Sequence, residues 1–191
     1  MTRENTGRFI GATFGLAFVQ VNAAALPPAV GIPVRVLAAL AFVGLFLALR
    51  RASASRPAKA AARAGFGRRY RFVVAAEAVV GLAGILFVDL VLHTPHAMVG
   101  WIALVVGLHF FGLAAIWRMP SLHWLGAGMS ACGAAGLVLA VCGFPQAAVA
   151  AVAGVVPGAM LLGSVWWDVL AGAQHLRAAT TPAATAPTTG S

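Results

Sequence analysis

Glu77 and His109 are set apart by position, not by any motif around them: each lies inside a long apolar run of the chain. At about 1.5 Å of helix rise per residue, Glu77 falls roughly 9 Å beyond Arg71, and His109 falls roughly 13 Å before Arg118. Their runs are adjacent and antiparallel, so the two side chains could meet at similar depth. A carboxyl and an imidazole facing each other in hydrocarbon make a chemically sensible proton relay. The same pair also serves as interhelical glue, a hydrogen bond worth under ~2 kcal/mol.

Two further polar groups gather nearer the ends of the apolar runs. Gln20, Asn22, Arg35, Asp89, His93 and His96 fall towards one end, where an ion pair between Arg35 and Asp89 would spare both an unpaired charge near lipid. Alternatively, the group forms the mouth of a solute pathway, with His93 and His96 responding to pH. At the opposite end lie Arg118, His123 and Asp168, placed to meet head groups or one another. One acid and one imidazole are too few for a metal centre, which normally shows three or four ligands, and H-E-x-x-H is absent. No serine nucleophile with a paired base and no phosphate loop occurs. Neither a cofactor nor a metal is therefore expected.

The elements that would position these residues follow from composition. Hydrophobic residues make up 61% of the 191, charged residues 9%, and mean hydropathy is +0.93, well outside the range of soluble domains. Such a chain reads as a polytopic membrane protein. Hydrocarbon leaves bare backbone unsatisfied, and the runs lack the alternation of a barrel, so the fold class is all-α, a membrane helical bundle. Six spans of suitable length for a bilayer are predicted near residues 9–26, 33–49, 72–92, 98–117, 122–141 and 147–170. The breaks are Leu26-Pro27-Pro28, the basic 50–71 segment, His93-Thr94-Pro95-His96, Arg118-Met119-Pro120 and Gly143-Phe144-Pro145. Short links make neighbours antiparallel, giving three hairpins in one transmembrane domain over residues 1–175.

Charge sets the expected orientation. Of the thirteen Lys and Arg residues, all but Arg35 sort to one side of the six spans, which places both termini in the cytoplasm. Tyr70, Trp117, Trp124, Trp166 and Trp167 cluster at that interface and Trp101 at the other, as an aromatic belt would. The net charge of +9 thus orients the chain and does not indicate nucleic-acid binding. Linker 50–71 is a solvated basic loop suited to anionic lipid head groups, at about 1 kcal/mol per basic residue. Residues 176–191 are low in complexity and read as a disordered tail.

Arg3 and Arg8 followed by apolar residues and Ala23-Ala24-Ala25 also fit a signal peptide with its cleavage site. The small-xxx-small pair Gly11 and Gly15 argues instead for a retained, packed span. Gly81 with Gly84, Gly107 with Gly112, and Gly154 with Gly158 promise close packing elsewhere, and Pro157, which removes one backbone hydrogen bond, should kink the sixth span. Cys132 and Cys142 lie about 15 Å apart along one helix, too far to pair with each other. Gly128, Cys132 and Gly136 share a closely packed face.

Over Gly107-Leu108-His109-Phe110-Phe111-Gly112, Trp117-Arg118-Met119-Pro120 and His123-Trp124-Leu125-Gly126, the chain resembles an uncharacterised family of small bacterial multi-pass integral membrane proteins. The likeness covers mainly residues 101–128. It implies the bacterial cytoplasmic membrane as location and transfers no catalytic residue.

Three functions fit these features. A small-solute or proton-coupled transporter would use Glu77 and His109 at its midplane and would need a wet cavity reaching Glu77. A structural or accessory subunit, binding a membrane-protein partner, another copy of itself or anionic lipid, would have a dry interior and an exposed glycine-rich face. An intramembrane enzyme with Glu77 as general acid would need an apolar pocket open sideways to lipid-like substrate.

Overall fold

The computed structural model describes residues 3–54, 79–92 and 94–180. Glu77, His93, most of the 50–71 linker and residues 181–191 of the tail lie outside the described residues. Those described are helical apart from short turns, with no strand among them. Helix α1 is Arg3–Asn22, extended by a 3-10 turn Ala23–Ala25, and α2 is Pro28–Ala54. Helix α3 is described over 79–87 and passes into a π turn Val88–Leu92. Helices α4, Ala97–Trp117, and α5, Pro120–Val141, follow. Short α6, Gln146–Ala150, runs through a π turn Ala151–Val155 into α7, Val156–Thr180.

Proline and left-handed turns set the helix ends where the sequence suggests. Leu26 is extended before Pro27, as a residue preceding proline should be. Pro120 occupies the first turn of α5, where its missing N–H would have no partner anyway. Between α4 and α5, Arg118 takes the left-handed conformation, φ 53°, and Met119 is extended. Gly143, φ 77°, performs the corresponding reversal after α5. In the last span the π turn Ala151–Val155 precedes Pro157 and includes Ala153, whose carbonyl a proline at 157 would strike in a regular α-helix.

Among the described residues, four helices are long and apolar enough to cross a membrane: Pro28–Arg51, Ala97–Ile116, Pro120–Val141 and Gln146–Gly172. Six were expected. Helix α1 falls short because Arg8, Thr13, Gln20 and Asn22 dilute it, and α3 contributes only the shorter apolar stretch Val79–Leu90 among the described residues.

Contacts between the helices show successive elements running in opposite directions. Phe9 of α1 meets Phe42 and Phe46 of α2 at ring-centroid distances of 5.8 and 6.0 Å, while Gln20 meets Arg35. In α3 and α4, Gly81 faces Val105 and Gly84 faces Trp101. Gly100 and Gly107 of α4 oppose Gly136 and Ser130 of α5. Helix α1 also runs antiparallel to α7: Gly11 faces Val165, Gly15 faces Gly158, and Asn22 faces Gly154.

Alanine and glycine hold many of the buried positions, beside larger residues such as Leu45, Met129 and Val149, and many large apolar residues face outward. Ala12, Ala23, Ala97, Ala103, Ala114 and Ala153 are almost fully buried, whereas Leu37, Leu40, Leu90, Trp124 and Trp167 are more than half exposed. At two crossings the backbones themselves come into close approach. A Cβ on Gly15 would lie 2.9 Å from the Gly158 carbonyl oxygen, and one on Gly158 would lie 2.8 Å from that of Gly15. The α4–α5 hairpin is similarly close, since a Cβ on Gly126 would lie 2.9 Å from the Gly107 oxygen. Such contact is how helices associate where lipid removes the hydrophobic drive between them. On α5, Gly128 and Gly136 turn to Met160 and Ala153 of the last span, so its second small-residue face packs there. Both cysteines are free thiols.

Candidate functional site

Of the midplane pair, the structure places His109. It is half-buried in the second half of α4, its ring edge-on to Phe110 at 6.0 Å. Its expected partner, Glu77, lies outside the described residues.

The polar group near the α1–α2 turn is partly assembled, with a different pairing from the one expected. Arg35 is bonded to Gln20, not to Asp89: its Nε donates to Gln20 Oε1 at 3.0 Å, and Gln20 Nε2 donates to the Arg35 carbonyl at 2.8 Å. The reason is positional. Gln20 and Arg35 flank one tight turn on antiparallel helices, whereas Asp89 sits in the π turn of α3, a helix that packs on α4. Asn22 turns back to donate to the Phe18 carbonyl at 2.8 Å and fills the hollow above Gly154. His96 stands at the start of α4 with Nε2 buried and without a partner among the described residues.

The third group stays dispersed. Arg118 and Asp168 are exposed, on the α4–α5 turn and on α7, with no ion pair between them among the described residues. His123 is exposed and lies edge-on to Phe111 at 6.0 Å.

Sequence reading missed two features. Ser130 carries a buried hydroxyl without a partner, pressed against Gly107. Two tryptophans assigned to interfacial belts, Trp101 and Trp166, turn their indole N–H groups onto carbonyls of neighbouring helices, Gly81 at 3.2 Å and Ala41 at 3.0 Å. Glycines near these indoles were the available signal. Between α3 and α4 there is also an apolar hollow of about 310 Å³, lined by Leu82, Ile85, Trp101, Ile102 and Val105 among others. Among the described residues its lining is apolar throughout, room for an apolar chain.

Together these features define, among the described residues, an all-helical bundle with four helices suited to crossing a membrane, close glycine and alanine contacts between helices and many large apolar residues on the outside. No protein-family model, curated protein or solved structure matches the chain.

Proposed function

We propose that this chain is a multi-pass protein of the bacterial cytoplasmic membrane, with both termini in the cytoplasm, acting as a structural or accessory subunit. The observation that carries the reading is the closed, backbone-on-backbone packing at Gly15–Gly158 and along α4–α5. A carrier must open and rehydrate a path, and helices already in backbone contact leave none along these seams. An open glycine, Gly163, stands with Ala159 and Trp167 on the exposed side of α7, where another helix could approach closely. The basic 50–71 linker would hold the bundle to anionic head groups.

The second reading, proton-coupled transport, is favoured by one residue: His109, half-buried within an apolar helix. Proton flux into liposomes under an imposed pH gradient separates the two. For a subunit, native chain, Glu77→Gln and His109→Phe all leak no faster than empty liposomes. Flux through the native chain that both substitutions abolish, at unchanged melting temperature, would overturn the subunit reading in favour of transport.

A further inference from the structure

We propose that Arg35, oriented by Gln20, binds the phosphate of an anionic phospholipid in the leaflet beside the Leu26–Pro28 turn. The inference rests on the membrane location proposed above, but not on the subunit role. Arg35 lies seven residues into α2, about 10 Å along the axis from Pro28, on a stretch where Ile32 and Val36 are 61% and 51% exposed. It is itself exposed, so it flanks an apolar, outward-facing stripe.

A guanidinium offers five N–H donors. One is committed to Gln20 Oε1, and among the described residues the two terminal Nη groups have no partner. Gln20 is fixed in turn, because its amide nitrogen is held by the Arg35 carbonyl. The two-way clasp therefore presets the direction of the fork.

Gln20 satisfies one donor without neutralising the charge. A cation at that depth draws an anion or water to itself, and the free Nη edge matches two phosphate oxygens in a bidentate arrangement. Arginine side chains near helix ends reach towards the head-group layer in the same way. A lipid with net negative charge compensates the guanidinium fully, whereas a zwitterionic one brings its own cation. The apolar flanks favour a phosphate that arrives with acyl chains over a free one.

The test is native mass spectrometry of the full chain released from micelles containing phosphatidylglycerol or phosphatidylcholine. Native protein should retain one more phosphatidylglycerol than Arg35→Gln, which keeps the basic linker intact, and binding of that lipid should weaken at least tenfold. Gln20→Glu gives Arg35 an internal carboxylate in place of the amide, giving up the bond to the Arg35 carbonyl, and should lose the same lipid; helical circular dichroism equal to native shows that loss of fold does not imitate the result. Unchanged phosphatidylglycerol retention in both variants would overturn the site, and so would equal retention of phosphatidylcholine. Displacement by glycerol 1-phosphate would overturn the lipid assignment in favour of a soluble phosphate. Flotation with liposomes after alkaline wash tests insertion separately: a chain that fails to float removes the membrane reading, whereas one that floats without an Arg35-dependent lipid removes only this proposal.

Discussion

Trp166 donates its indole N–H to the carbonyl oxygen of Ala41 at 3.0 Å, and its ring lies over Gly44, three residues further along α2. Trp101 repeats the arrangement: its N–H meets the Gly81 carbonyl at 3.2 Å and its ring lies over Gly84. In each clasp the glycine lets the ring approach the helix, and the carbonyl three residues earlier accepts the proton.

Trp166→Phe keeps an aromatic ring and loses the donor, so it should destabilise the bundle by about 1 kcal/mol. Gly84→Ala should cost more, about 1–3 kcal/mol, because a Cβ there overlaps the Trp101 indole. Reversible unfolding in mixed micelles measures both, and a Gly84→Ala protein as stable as native would contradict the Trp101 clasp.

The α1–α7 crossing should be intolerant of a single methyl. In Gly15→Ala the new carbon meets a backbone oxygen at 2.9 Å, which cannot rotate away, and the expected loss is about 1–3 kcal/mol. Gly163→Ala, where nothing lies within 4 Å, should instead stabilise by up to about 1 kcal/mol through helix propensity. Melting curves of the two variants should move in opposite directions.

Ser130 buries a hydroxyl without a partner among the described residues. Ser130→Ala removes that unsatisfied group, so stability should hold or rise by about 1 kcal/mol. A clear loss of stability in the same unfolding assay would mean that the hydroxyl is bonded after all.

Arg118 holds a left-handed backbone at φ 53°, a conformation costing an ordinary residue about 1–2 kcal/mol. Arg118→Gly should recover roughly 1 kcal/mol of that cost. It also deletes a positive charge from the side proposed to be cytoplasmic. Reporter fusions to the C-terminus should still register a cytoplasmic end, since the 50–71 linker retains most of the charge.

Much of the local structure was legible in the residues. Proline and its neighbours marked the helix ends at Pro28, Pro120 and Pro145, because a ring that fixes φ and lacks an N–H acts within one turn. The glycines Gly15, Gly107 and Gly158 announced close packing, and they do sit at helix contacts. The partners of the polar side chains were not legible. The expected partner of Arg35 was Asp89, and only the packing of α2 on α1 and of α3 on α4 gave it Gln20 instead.

By itself, then, the sequence determined an all-helical chain with apolar runs of membrane-spanning length, because continuous apolar runs admit few other structures in hydrocarbon. Tertiary structure alone decided which face of each helix meets which neighbour. A helix apolar on every side carries no periodic signal of its own rotation. The choice falls to shape, to where a missing side chain lets Gly15 touch Gly158 or Trp166 lie over Gly44.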